Sequence, residues 1–310
     1  MTQAITIFGF GNQGAAQAEN LRDQGWHVRI AVRAGGPSAT RAAAADFSVA
    51  TDLALAARET RIAALLLPDT AQPELWRTVL QPHLPQAACL VFAHGYNLHY
   101  GTIAPRPDLD VLLAAPLGSG MTVRRNFRAG APLSIATAVH QDATGRGAAL
   151  LDAYVAGITT DARWRIATTV REETETDLFS EQTLSCGGLQ QLIRLAFETL
   201  VAAGYDRRLA YFTCAQEIQD LAQLFAANGL AGAFTKISPT ARYGALTRGP
   251  RTVGEPTRAA MEQALAEIRD GRFAKELTEE ANRHFATTKR LLAPLEEHEL
   301  ARCHLAEHQR

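Results

Sequence analysis

Apolar residues in the first half of the chain come in short runs: Ile5 to Phe8, Val28 to Val32, Ile62 to Leu67, Cys89 to Phe92, Val111 to Ala114 and Ser134 to Ala138. Ala-rich stretches with helical spacing lie between them. Unbroken apolar runs suit strands buried on both faces, and their alternation with helices predicts an α/β domain built on a doubly wound parallel sheet. After about residue 171 the strand-like runs stop. Glu172 to Ala203, Arg207 to Ala227 and Glu255 to Asp270 repeat apolar residues at the spacing of a helix buried along one side. The pattern therefore predicts two domains, an α/β unit over 1–170 and an all-α unit over 171–310. A chain of 310 residues agrees, because single cores seldom grow past roughly 250 to 300 residues.

The first predicted strand runs straight into Gly9-Phe10-Gly11-Asn12-Gln13-Gly14. Strand, G-x-G-x-x-G and helix together form the fingerprint of a Rossmann dinucleotide site. Gly9 permits the tight turn, Gly11 lets the backbone approach a pyrophosphate, and Gly14 lets the helix pack close to the sheet. The helix amino terminus then faces the anion. After the second strand no acid is available for a ribose hydroxyl. Arg33, Ser38 and Thr40 offer donors to a 2′-phosphate, whereas Gly35-Gly36-Pro37 offers none. These residues leave NAD and NADP open.

Composition narrows the partner. The 31 basic and 32 acidic side chains leave a formal charge of -1, so no broad field exists to hold nucleic acid or an anionic membrane, and a small molecule is expected. No apolar run approaches the roughly 20 residues that span a bilayer. A strand-like start at Ile5, without a charged and then apolar leader, predicts a cytoplasmic protein. Cys89, Cys186, Cys214 and Cys303 lie far apart with no C-x-x-C spacing, which predicts reduced thiols.

A run of acids opens the second half. Glu172, Glu173, Glu175, Asp177 and Glu181 lie between Arg171 and Arg194 with no basic residue among them, unlike a solvated helix face that interleaves charges at i+4. Asp177 and Glu181 share one helical face, so both carboxylates reach one hard cation such as Mg²⁺. Glu217 adds a third if its helix lies against the first.

Several segments then resemble the ketol-acid reductoisomerase family, in its order: Leu66-Leu-Pro-Asp-Thr70, Phe92-Ala-His-Gly-Tyr-Asn97, Ala138-Val-His-Gln-Asp-Ala-Thr-Gly145, Glu172-Glu-Thr-Glu-Thr-Asp-Leu-Phe179 and Phe197-Glu-Thr-Leu-Val-Ala-Ala-Gly-Tyr205. The resemblance implies a Rossmann domain followed by a knotted helical domain, a homodimer or higher homo-oligomer, Mg²⁺, a nicotinamide cofactor and a hydroxy or keto acid substrate. By position it implies metal carboxylates at Asp177, Glu181 and Glu217, a substrate-binding serine at Ser238 and an active-site histidine at His94. Leu67, Pro68, Asp69, His94 and Gly120 join the cofactor set.

Two departures fall at the chemistry. The family's A-P-K-G-P-G is here Ala115-Pro-Leu117-Gly-Ser-Gly120, and its Y-F-E-C is Tyr211-Phe-Thr213-Cys214. Leu117 thus replaces a lysine and Thr213 a second-metal glutamate, so a cation and an anion leave together. Leu117 makes the pocket more apolar and more tolerant of a bulkier or cationic substrate. Glu217, without its metal-sharing neighbour, is the expected general base, with His94 as an orienting group. The expectation is a member repurposed for specialised metabolism, using NAD and Mg²⁺ in a concealed oxidation and reduction of a sulfonium-bearing diol acid, with loss of dimethyl sulfide and closure of a cyclopropanol. The alternatives are a true ketol-acid reductoisomerase of branched-chain amino-acid synthesis and a non-catalytic dinucleotide-binding paralogue.

Overall fold

The computed structural model describes residues 3–308. The chain divides into two compact units, Met1–Thr176 and Asp177–Arg310, and the division falls inside the helix Val170–Ser180.

The first unit is built on one eight-stranded sheet: β1 (Ala4–Phe8), β2 (His27–Ala31), β3 (Ser48–Ala50), β4 (Ile62–Leu65), β5 (Cys89–Phe92), β6 (Asp110–Pro116), β7 (Ile135–Gln141) and β8 (Arg165–Ala167). Their order is β3-β2-β1-β4-β5-β6-β7-β8. The six predicted strands appear where the apolar runs are, because β1, β4, β5 and β6 bury both faces. Alternate residues feed two cores. Ile5, Ile7, Ile30, Val91 and Leu112 meet helix residues Leu21, Leu151 and Tyr154 on one face; Phe8, Leu65, Leu90, Phe92 and Leu113 meet Trp76 and Leu80 on the other. Each such large apolar side chain contributes roughly 1.5–3 kcal/mol when fully buried.

The sheet departs from the all-parallel expectation in one place, since β7 runs antiparallel to β6. The segment between them leaves and re-enters at the same end, where the Leu117 N–H donates to the Ser134 carbonyl at 2.9 Å. The helix Gly120–Ala129 within it packs on the helix Asn12–Asp23 rather than carrying the chain back along the sheet. The order reverses between β1 and β4, so the crevice at their carboxyl ends is the topological switch point where open α/β sheets bind ligands.

The second unit is helical. Val170–Ser180 continues through a π turn, Glu181–Ser185, into Gly187–Ala202. Arg207–Tyr211 continues through a second π turn, Phe212–Gln216, into Ile218–Phe234, which kinks at Gly229. Pro239–Thr252, Glu255–Arg269, Arg272–Asn282, Ala286–Glu296 and Glu299–His308 follow. Its core gathers Phe197, Ala210 and Tyr211, with Leu300 and Cys303 against them. Among the described residues no helix is long and apolar enough to cross a membrane.

Candidate active site

Gly9 turns the chain off β1 with φ +106°, and a Cβ there would stand 2.8 Å from the Leu66 carbonyl oxygen, so only glycine fits. A Cβ on Gly14 would reach 2.9 Å from the Gly9 carbonyl. At Gly11, by contrast, a Cβ would meet nothing within 4 Å. The backbone at the amino terminus of Asn12–Asp23 is thus open on the side where an anion would approach, and the cradle fits a dinucleotide pyrophosphate. Phe10 is buried. The Gln13 amide does not reach into the opening; it donates to the Gly118 carbonyl at 2.8 Å. Beside the cradle Arg33 is exposed. Arg41, which sequence reasoning missed, donates to the Phe10 carbonyl at 2.7 Å and to Ser38 Oγ at 3.2 Å.

The loops after β4 and β5 form the next wall. Gln72 Nε2 donates to the Leu67 carbonyl at 2.9 Å and to Asp69 Oδ1 at 3.2 Å. Asn97 Nδ2 donates to the Asp69 carbonyl and to Gln72 Oε1, each at 3.0 Å. Both amides are buried, so Leu67, Pro68 and Asp69 are held rigidly from behind.

Glu173 clasps the second loop. Its Oε1 accepts from His94 Nδ1 at 2.9 Å, and its Oε2 accepts from the Gly95 N–H at 2.8 Å. The carboxylate is 3% exposed and the imidazole 19%. An ionised carboxylate only accepts, so the Nδ1 proton is fixed by this pair. Gly95 makes room, since a Cβ there would fall 2.5 Å from Thr174 Oγ1 and 2.9 Å from Glu173 Oε2. Burial, with Tyr100 and Asp69 close by, pushes the Tyr96 phenol up to about 12. It is a neutral donor at physiological pH and not a base.

The acid run is less bare than its sequence. Glu173 has His94, and Glu175 takes Arg171 Nε at 2.8 Å and His99 Nε2 at 3.8 Å. Asp177 follows one helical turn after Glu173, and Glu181 opens the π turn. In the second of these helices Thr213 lies within the other π turn and Glu217 directly after it. Such π bulges occur frequently at functional sites, where they re-aim side chains on an otherwise regular helix. Glu217 is exposed. Thr213 Oγ1 donates to the Leu209 carbonyl at 2.6 Å, so its proton is bound within its own helix. Hard carboxylate oxygens are the donors Mg²⁺ prefers, but among the described residues Asp177, Glu181 and Glu217 are not gathered into one ligand cluster. Ser238 caps Pro239–Thr252, its Oγ accepting from the Ala241 N–H at 3.1 Å.

Leu117 follows β6 directly and is 47% exposed. Gly120, three residues on, touches the cradle: a Cβ there would overlap the Asn12 carbonyl oxygen at 2.1 Å.

A Rossmann-type sheet with a glycine cradle at its switch point, followed by a helical unit, is the architecture of a nicotinamide-type dehydrogenase. Residues 1–163 match the family described as acetohydroxy acid isomeroreductase, NADPH-binding domain, and residues 170–306 match ketol-acid reductoisomerase, C-terminal domain. A ketol-acid reductoisomerase (NADP(+)) of Xylella fastidiosa strain 9a5c is 43% identical over 274 residues, 88% of this chain and 78% of the relative. An NADH-preferring ketol-acid reductoisomerase from an uncultured archaean superposes with TM-score 0.95 at 31% identity, over 99% of this chain and 94% of that one. A semialdehyde dehydrogenase NAD-binding protein from Cupriavidus necator, at 20% identity and TM-score 0.67 over 87% of this chain and 99% of that one, shares the fold alone. The chain belongs to the ketol-acid reductoisomerase family and is an oxidoreductase/isomerase enzyme.

Proposed function

We propose that this enzyme isomerises and reduces an acetohydroxy acid with a nicotinamide cofactor and Mg²⁺. The observation that carries the metal half is the Asp177 and Glu181 pair, one turn apart at an α-to-π junction. When bound, the nicotinamide supplies the hydride and Mg²⁺ polarises substrate oxygens. The chain's own residues do the rest. Gly9 to Gly14 receive the pyrophosphate, Leu67, Pro68, Asp69 and Gly120 wall the cofactor, and Asp177, Glu181 and Glu217 hold Mg²⁺. Glu217 also takes the proton from the substrate hydroxyl, Ser238 contacts the substrate, and the Glu173 clasp keeps His94 in one orientation. Asp177→Asn or Glu181→Gln should abolish Mg²⁺-dependent turnover of 2-acetolactate while cofactor binding persists. Turnover that survives either change rejects the metal assignment.

Between the two cofactors, Arg33 and Arg41 beside the cradle and the NADP-dependent relative support NADP. The donor-poor Gly35-Gly36-Pro37 and the NADH-preferring structural relative support NAD. Calorimetric titration of each into wild type and Arg33→Ala decides: a 2′-phosphate held by Arg33 gives tighter NADP binding that the variant loses. Exposed Leu209, Leu230, Tyr243, Leu246 and Leu291 in the helical unit support a homo-oligomer, to be read by light scattering.

A second reading is favoured by Leu117 and Thr213. With the family's lysine replaced by an exposed apolar side chain, a cationic, sulfonium-bearing diol acid of specialised metabolism is no longer repelled there, while Thr213, its hydroxyl turned to its own helix in place of a glutamate, weakens the hold on a second metal ion. Release of dimethyl sulfide from such a substrate, with a cyclopropanol as co-product, would support it; no release would reject it.

A further inference from the structure

A one-way chain of hydrogen bonds links the interior of the first unit to the Leu117 turn. The Tyr154 hydroxyl donates to Gln17 Oε1 at 2.6 Å, Gln17 Nε2 donates to Gln13 Oε1 at 3.1 Å, and Gln13 Nε2 donates to the Gly118 carbonyl at 2.8 Å. Tyr154 and Gln17 are fully buried, and burial pushes the phenol well above its ordinary value, so it stays a donor. Each amide is thereby fixed in one orientation, because only its carbonyl accepts and only its nitrogen donates. The relay crosses the helix Asn12–Asp23 at Gln17 and Gln13, the latter in the cradle's own first turn. The turn at its end is tied elsewhere to the same helix, since Gly120 packs on the Asn12 backbone and Arg124 bridges Glu19 and Asp23 at 2.7 Å each. Leu117 and the cradle therefore share one mechanical support.

We propose that Gln13, fixed by Tyr154 and Gln17, is a positioning residue that couples occupancy of the dinucleotide cradle to the placement of the Leu117 turn. The proposal rests on the dinucleotide-binding reading. An anion drawn onto the amino terminus of Asn12–Asp23 settles that terminus, and the relay passes the constraint to Gly118 and so to the side chain that replaces the family's lysine. Cofactor loading then orders the wall that selects the substrate.

The test is amide hydrogen exchange over residues 117–122 in the full chain, with and without NADPH or NADH at a concentration that saturates each variant. In the wild type, cofactor should slow exchange there by about fivefold or more, as expected when a locally opening segment is fixed. Gln17→Leu and Tyr154→Phe should both bind cofactor yet lose most of that protection. Tyr154→Phe deletes one hydroxyl remote from the cradle, so it separates uncoupling from damage to the cradle. Full protection in either variant overturns the relay. If calorimetry shows no cofactor bound to the wild type, the dinucleotide reading fails instead.

Discussion

Removing the Glu173 carboxylate isolates the clasp that holds the His94 loop. Glu173→Leu keeps the volume approximately but leaves the His94 Nδ1–H and the Gly95 N–H, now 2.9 and 2.8 Å from carboxylate oxygens, with an apolar neighbour. The Gly95 N–H is left as an orphaned buried donor at about 1–3 kcal/mol and the part-exposed imidazole adds less, so the loss should be roughly 1–4 kcal/mol. That is a large share of the ~5–15 kcal/mol that keeps an ordinary domain folded. Glu173→Gln retains one acceptor oxygen for Gly95 and presents an amide to the imidazole, and should cost only about 1 kcal/mol. Gly95→Ala attacks the same clasp from its other side, because the new methyl would fall 2.5 Å from Thr174 Oγ1. Differential scanning calorimetry ranks the three. The unfolding transition of the first unit should drop most in Glu173→Leu, strongly in Gly95→Ala and least in Glu173→Gln. If Glu173→Leu melts where Glu173→Gln does, the clasp does not hold the loop.

Three further outcomes are expected. Asp110 is fully buried and accepts from the Thr144 N–H at 2.9 Å and hydroxyl at 2.6 Å; Thr144→Val should cost roughly 1–3 kcal/mol, the cost of leaving a buried acceptor short of its partner, and an unchanged melting temperature would contradict this. Burial holds the His99 imidazole below its ordinary 6.5, against the upward pull of Glu175. The folded chain therefore resists this proton more than the unfolded one, and stability is lost as pH falls from about 6.5 toward the folded value. The melting-temperature gap between wild type and His99→Asn should narrow from pH 7.5 to 5.5, and a constant gap would contradict it. Glu217→Gln should abolish turnover with cofactor affinity intact, and an active variant would remove Glu217 as the base.

The central strands were legible because burial on both faces leaves an unbroken apolar run, as at Cys89–Phe92. β3 and β8 were not. Each has three residues at a sheet edge, and β8 is exposed throughout, so neither needs apolar residues. The reversal of β7 was equally hidden, since it follows from the hydrogen bond between Leu117 and Ser134 across a 10-residue helix and not from strand composition. The glycine cradle was legible at Gly9, where a positive φ and backbone overlap leave only glycine, and at Gly14, where backbone overlap does. Glu173 appeared in the sequence only as one acid among five; its partner His94 is 79 residues away, and local spacing cannot show such a pair. The two π turns beneath Glu181 and Glu217 were hidden for a related reason, because one extra residue in a helical turn leaves the apolar period almost unchanged.

Isomerisation and reduction of an acetohydroxy acid are read by following absorbance at the reduced-nicotinamide band with purified protein, Mg²⁺, 2-acetolactate and NADPH or NADH in turn. Steady oxidation that stops when Mg²⁺ is chelated is the predicted result. Silence with both cofactors, alongside calorimetric proof that one of them binds, would contradict it and send the search to sulfonium-bearing diol acids.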